Sequence, residues 1–317
     1  MKAEKLPIHF APLQGYTDAV YRRAHARIFG GVASYYSPFV RIEHGEIRRK
    51  DRRDIEPDNN RGVHLLPQLI ASTPEKCEPI LTLFKEKGYQ TVDVNLGCPF
   101  PMLAKRHNGA GMLPYPEEVK TLLTTIIEKH PDIRFSVKMR LGWETAAECM
   151  ALLPLLNELP LSHIVLHPRL GRQQYKGEVD IAAFENFYNE CRKPLYYNGD
   201  LLSVENLSFM ENKFPRLAGF VIGRGLLANP ALALEYQTGK KLDNRDFMER
   251  IRLFHADVFS QYGNLLEGGD TQLLTKMKTF WEYLLPDGDR KARKIIHKTS
   301  KLSNYQAAVS NLLSSGR

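Results

Sequence analysis

Short apolar runs recur along the first three quarters of the chain, at 8–12, 33–39, 64–70, 91–95, 134–139, 163–167, 194–198 and 218–222. Between most of them apolar positions return every three or four residues, over 75–87, 117–129, 146–157, 182–191 and 204–213, the spacing of amphipathic helices. Strands alternating with helices imply parallel pairing. Eight such units predict an α/β fold of the (β/α)8 barrel type rather than an open sheet. A doubly wound sheet would carry a Gly-rich first turn, and residues 13–18 do not read G-x-G-x-x-G. The charged stretch 41–61 is left as loop or irregular helix. Beyond Gly239 the strand rhythm stops, and 247–259, 271–285 and 290–314 read as helices parted by Gly-Gly and Pro-Asp-Gly breaks. The expected organisation is a catalytic barrel over 1–242 and a helical domain over 243–317.

Composition narrows the class. At 317 residues, 43% hydrophobic and 25% charged, the chain can bury a sizeable core, which excludes stapled miniproteins and disordered tails. Apolar runs are too short to span a bilayer, and the N-terminus lacks a signal-peptide core, so a cytoplasmic protein is expected. The four cysteines (Cys77, Cys98, Cys149, Cys191) form no C-x-x-C pair, which argues against a zinc ribbon; no metal is expected. The net charge of +8 favours polyanionic partners. From residue 240 onward 14 basic residues face 9 acidic ones, so the helical quarter carries most of it. Arg290, Lys291, Arg293, Lys294, Lys298 and Lys301 recur there at helical spacing, either as a solvated face or as a surface for a polyanion.

In a barrel of this type the reactive face lies at the C-terminal ends of the strands. Polar residues close seven of the runs: Gln68, Asn95, Lys138 with Arg140, His167 with Arg169, Asn198-Gly199-Asp200 and Gly223-Arg224-Gly225, besides Pro12-Leu13-Gln14 after the first. Singly each could be a helix cap; together they point to a site converging on the barrel mouth. The last two loops bring bare glycine backbone, with Arg224, to the position where barrels hold phosphate. Lys138 sits among apolar neighbours and needs an acceptor there, which an electron-rich heterocycle such as reduced flavin would supply. Cys98 follows a strand on a Gly/Pro-framed loop and is either an exposed thiol or a small buried hydrophobe. The other three cysteines fall in helical stretches and read as core.

These segments, Ala11-Pro12-Leu13-Gln14-Gly15, Gln68-Leu69, Asp93-Val94-Asn95-Leu96-Gly97-Cys98-Pro99, Val137-Lys138-Met139-Arg140-Leu141-Gly142-Trp143, His167-Pro168-Arg169, Asn198-Gly199-Asp200 and Ile222-Gly223-Arg224-Gly225, resemble in order the motifs of the tRNA-dihydrouridine synthases. Lys276-x-Lys278 ahead of Phe280, with the helical tail, most resembles the bacterial C-type branch. The resemblance implies a barrel holding FMN, a helical domain gripping tRNA, and NADPH-dependent reduction of a uridine C5–C6 bond. By residue it implies that Pro12, Leu13, Gln14, Gln68, Lys138, His167, Asn198, Gly199, Asp200, Gly223 and Arg224 bind flavin and that Cys98 is catalytic. Asn95 and Tyr175 match positions that contact the target nucleotide; Arg140, Arg169, Lys276 and Lys278 are added as substrate-binding residues. Neither membrane nor obligate protein partner is expected. The chain departs from the motifs at Ala71 and at His167-Pro168-Arg169-Leu170. Pro38 stands before Phe39-Val40-Arg41 where the C-type branch tends to carry an acid, so the target position is not inherited from that branch.

Three functions follow. The first is an RNA uridine reductase, in which hydride reaches C6 and Cys98, as a neutral thiol, protonates C5 of an extruded base. The same chemistry on ribosomal RNA is a variant of it. The second is a small-molecule flavin reductase on the same barrel, which leaves the basic tail unexplained. The third is an RNA-binding module without chemistry, disfavoured by the presence together of Cys98, Lys138 and both glycine loops.

Overall fold

The computed structural model describes residues 5–286 and 289–315; the first four residues, the last two, and Asp287 and Gly288 of the Pro-Asp-Gly break lie outside the described residues. Its main sheet holds strands β1 (Ile8–Phe10), β2 (Ser34–Tyr36), β5 (Leu65–Leu66), β6 (Gln68–Leu69), β7 (Thr91–Leu96), β8 (Arg134–Gly142), β9 (Ile164–Leu170), β10 (Leu195–Tyr197) and β11 (Gly219–Ile222). Neighbouring strands are parallel and β1 pairs with β11, as a barrel requires. The third expected strand is two pieces because Pro67 donates no N–H to a ladder. Its first half pairs with β2 and its second with β7, so the sheet closes through the proline, whose carbonyl still accepts from Asp93 N at 3.0 Å.

Strand periodicity sorts each run between two surroundings. Phe10, Val92, Val94, Phe135, Val137 and Met139 face the helices and join the main apolar core, whereas Ala11, Tyr36, Leu66, Val165 and Val221 form a smaller cluster inside the barrel. The interior is unusually polar. Tyr36 Oη and His163 Nε2 lie 2.7 Å apart, and His9 Nδ1 bonds Ser34 Oγ. Burial lowers His9 and His163 to about 4, so both rings are neutral. Above them, at the strand ends, register places Gln68 beside Asp93, Asn95 beside Lys138, and Arg140 beside His167.

The barrel helices are α1 (Ala19–Ile28), α3 (Pro74–Glu86), α5 (Pro116–Lys129), α6 (Ala147–Glu158), α7 (Ile181–Glu190), α8 (Val204–Lys213), α9 (Arg224–Ala228) and α10 (Leu232–Thr238), with α4 (Pro101–Ala104) in the cysteine loop. Pro at the first helical position opens α3, α4 and α5, while Asp18, Asp180 and Ser203 cap α1, α7 and α8. The charged stretch after β2 is more regular than its sequence suggests. It forms a hairpin of β3 (Ile42–Glu43) and β4 (Glu46–Ile47), then α2 (Arg49–Asp54). Buried Arg22 pins this excursion to α1: it pairs with Asp54 at 3.0 Å and donates to the Thr17 and Asp54 carbonyls and to Asn60 Oδ1.

The helical quarter comprises α11 (Asn244–Leu265), α12 (Gly269–Phe280), α13 (Arg290–Lys298) and α14 (Leu302–Ser315). The single helix expected over 290–314 is broken at Thr299, which has extended backbone angles and returns its hydroxyl to the Ile296 carbonyl at 2.8 Å. The Thr299 carbonyl, at this break in a buried position, accepts from Lys278 Nζ. α11 packs on α1 through Tyr21, His25 and Phe29 against Phe254. The helical quarter thus shares one continuous apolar core with the barrel. Among the described residues no helix is long and apolar enough to cross a membrane, and no group of acidic, His or Cys side chains could hold a metal ion.

Candidate active site

A cavity of about 470 Å³ opens at the C-terminal ends of the strands, a size typical of small-ligand sites. Pro12, Leu13, Gln14, Gln68, Asn95, Cys98, Lys138, Arg140, His167, Tyr175, Asn198, Gly199, Asp200, Gly223 and Arg224 all line it. Its floor is a relay of hydrogen bonds whose direction can be assigned. Asn95 Oδ1 accepts from the backbone N–H groups of Gly97 (3.0 Å) and Cys98 (2.8 Å), which are donors only. Its Nδ2 must therefore be the atom that donates to Gln68 Oε1 at 2.7 Å. Gln68 Nε2 then donates to Asp93 Oδ2 at 2.6 Å, and Ser136 Oγ donates to Asp93 Oδ1 at 2.6 Å. Asp93 anchors the chain of amides; burial raises its carboxyl to about 6 against these two hydrogen bonds. One consequence is that Gln68 and Asn95 each have one side-chain N–H left for a ligand, while both lone pairs of the Asn95 carbonyl are taken.

Lys138 Nζ lies 2.9 Å from Asn198 Oδ1, and Asn198 Nδ2 in turn donates to the Val221 carbonyl at 2.6 Å. Desolvation by burial, followed by the charge of Arg140, lowers the ammonium to about 8. His167 is pushed far below its ordinary value, first by burial and then by the charges of Arg140, Lys138, Arg169 and Arg224. Arg169 Nη1 donates to its Nε2 at 3.2 Å, so the proton of the neutral ring belongs on Nδ1. Burial also raises the Cys98 thiol, outweighing a hydrogen bond from Phe100 N and the charges of Arg140, Arg41 and Lys138.

The loops after β10 and β11 require glycine for identifiable reasons. Gly199 has φ +149°, and a Cβ there would lie 3.0 Å from Val179 and 3.3 Å from His167. A Cβ on Gly225 would lie 2.0 Å from the Leu201 carbonyl oxygen, so only glycine lets α9 begin against that loop. Asp200 bridges two arginines, pairing with Arg169 and, at 2.8 Å, with Arg224.

The amino-acid sequence matches the family model for dihydrouridine synthase over residues 9–314. The chain belongs to the dihydrouridine synthase family. It is 27% identical over 243 residues to a tRNA-dihydrouridine(16) synthase from Haemophilus ducreyi, covering 74% of each protein. It is 24% identical over 228 residues to tRNA-dihydrouridine synthase B from Pasteurella multocida, covering 71% of this chain and 67% of that one. Among solved structures, morphinone reductase superposes with a TM-score of 0.53 at 13% identity, over 76% of this chain and 88% of the other. The old yellow enzyme of Trypanosoma cruzi gives 0.52 at 12%, over 78% and 93%. These superpositions carry the barrel fold.

Three of the residues expected to contact substrate have protein partners in this structure. All five N–H donors of Arg169 are engaged, by His167, by both oxygens of Asp200 and by the Gly177 carbonyl, so it positions its neighbours rather than offering a donor to substrate. Lys276 Nζ donates to the Gly15 carbonyl at 2.7 Å and pairs with Asp18 at 2.9 Å, tying α12 to the barrel. Lys278 closes the α13–α14 junction. Arg293, from the basic cluster, donates to the carbonyls of Trp281, Glu282, Leu285 and Pro286. Arg140 keeps donors to spare: Nε and Nη1 hold the Gly97 and Leu170 carbonyls, and its guanidinium lies 5.4 Å from the Tyr175 ring centre. Sequence reasoning passed over Asp93, although its two-residue spacing from Asn95 puts both on the inner face. Phe100, Leu202 and Tyr283 also line the cavity; Tyr283 comes from the helical quarter, and no local pattern marks it.

Proposed function

We propose that this enzyme reduces uridine in tRNA to 5,6-dihydrouridine with FMN as bound cofactor and NADPH as hydride donor. When bound, reduced FMN supplies the hydride for C6 of uracil. The residues present fit that group: Gly199 and Gly223 bare their backbone beside Arg224, where a phosphate would be held. Lys138, a buried ammonium with one neutral partner, offers charge to an electron-rich ring edge. Gln68 and His167 each present an N–H to the same space.

The observation that carries the reading is that Cys98, held by Asn95 through two backbone hydrogen bonds, shares one cavity with Lys138 and the glycine loops. Hydride addition at C6 leaves negative charge toward C5 and O4, and Cys98 Sγ–H delivers the proton to C5. A thiol that burial keeps protonated suits a general acid. The free N–H of Asn95 reads an acceptor on the uracil edge, and the exposed Tyr175 ring, flanked by Arg140 and Arg224, offers a stacking face. Incubating the FMN-loaded enzyme with NADPH and an unmodified tRNA transcript, then digesting for mass spectrometry, should show a gain of two hydrogens at a defined uridine. A yellow enzyme that oxidises NADPH yet leaves tRNA unchanged would refute the substrate assignment.

A further inference from the structure

A second cavity, of about 480 Å³, adjoins the first, with Gln14 and Pro38 in the walls of both. Its apolar side is Val20, Leu265 and Leu266, and its polar wall includes Asn59 and Asn264. Four cations, Arg23, Lys50, Arg53 and Lys276, share the lining with three carboxylates, Asp18, Asp51 and Asp54. Each carboxylate is already paired: Asp18 with Lys276, Asp51 with Arg48, Asp54 with Arg22. With Arg22 and Arg48 counted, the local field is positive. Lys50 and Arg53, three apart on α2, present the same face to this cavity; both are exposed, and neither ammonium nor guanidinium has a protein partner among the described residues. Arg49 and Arg52, on the adjoining face of the same short helix, are exposed and free in the same way.

We infer that this cavity is a second nucleotide subsite, which takes a nucleotide flanking the target uridine while Lys50 and Arg53 bind its phosphates. The inference rests on the RNA-reductase reading above. A base extruded into the first cavity leaves its neighbour without a stacking partner on one side, and a base exposed in that way can be held by an apolar wall with polar groups at its edge. The second cavity supplies both at a shared wall, and α2 supplies the counter-charge for the backbone. The RNA footprint therefore extends onto the barrel's own excursion, where free cations stand, as well as onto the helical quarter.

The test uses the full-length FMN-loaded enzyme and an unmodified tRNA transcript. Two variants, Lys50→Glu/Arg53→Glu and Asn264→Trp, are first checked for wild-type flavin content and melting. The charge variant should bind tRNA roughly tenfold or more weakly, and its slope of log affinity against log salt should flatten by about 0.7 per lost contact. Asn264→Trp, which fills the cavity without removing a cation, should weaken binding with the slope unchanged. Wild-type affinity in either variant overturns the inference while leaving the reductase reading intact. Failure of the wild-type enzyme to bind or reduce tRNA overturns that reading instead.

Discussion

Gly109→Ala should disable proton delivery without touching the cysteine. Gly109 has φ +60°, and a Cβ added to it would sit 2.8 Å from both Cβ and O of Cys98 and 2.9 Å from its N. Alanine in this left-handed conformation costs about 1–2 kcal/mol in itself. The larger effect is geometric. Two of the three crowded atoms are backbone, so the loop must retreat by roughly half an ångström or more, against the Asn95 hydrogen bonds that set it. Displacements of about 1 Å cost catalysis around 10²-fold, and complete loss of a general acid costs about 10²–10⁴-fold. Gly109→Ala should therefore slow uridine reduction by about 10²-fold, and Cys98→Ala by that or more. The assay is anaerobic oxidation of pre-reduced enzyme by excess tRNA transcript, with reduction by NADPH measured separately as the control. Because both changes act on one proton transfer, adding Gly109→Ala to Cys98→Ala should cost little further. A wild-type rate for Gly109→Ala, or full multiplicative loss in the double variant, would refute the placement of Cys98 as the acid.

Lys138 loses its proton as pH rises through about 8, so FMN affinity measured by fluorescence quenching should fall from about pH 7 to 9. Lys138→Met should bind FMN weakly with a flat pH profile; a flat wild-type profile would show that the ammonium does not serve the flavin. Asp54→Ala leaves the Arg22 guanidinium, fully buried, without its counter-ion and should cost about 3–5 kcal/mol in denaturant titrations; a loss under about 1 kcal/mol would mean that the excursion is held by other contacts. Lys276→Ala and Lys278→Ala should each cost about 1–3 kcal/mol of stability and leave the salt dependence of tRNA binding as it was. A flattened slope would return those lysines to the RNA surface.

The order of strands, the barrel and the residues lining its mouth were legible because each rests on short-range pattern: a two-residue period, a polar residue at a strand end, a glycine loop. What escaped the sequence depends on partners distant along the chain. Nothing local says that Lys276 meets Asp18, or that Lys278 meets the Thr299 carbonyl. A basic residue near a helix end reads alike whether it faces phosphate or a protein acceptor. The stretch 41–61, which dense charge left as loop or irregular helix, holds a hairpin as well as short helices. Buried Arg22 turns that charge into a pinned hairpin and helix, and leaves Lys50 and Arg53 free beside a cavity. Asp93 was hidden by its own burial, since a carboxylate inside a barrel acquires meaning only once Gln68, Asn95 and Ser136 are seen around it.

Cations close to a cysteine ordinarily draw it toward the thiolate, and a thiolate cannot donate the proton that C5 requires. Here Arg140, Arg41 and Lys138 all pull in that direction, yet burial raises the Cys98 thiol further than they lower it. Neutral or paired acceptors restrain each cation. Arg140 is held by the Gly97 and Leu170 carbonyls, Lys138 by Asn198, and Arg41 by Glu43 at 2.9 Å. The site can thus keep positive charge for an electron-rich cofactor and a proton on its acid at once. On the proposed function, RNA seated over the mouth would remove water from the thiol and bring phosphate charge nearer, and both effects favour the protonated form. On that reading Cys98 would accordingly be held most firmly in its donating state when a base is in place, with the surrounding cations left to stabilise the charge that hydride addition creates.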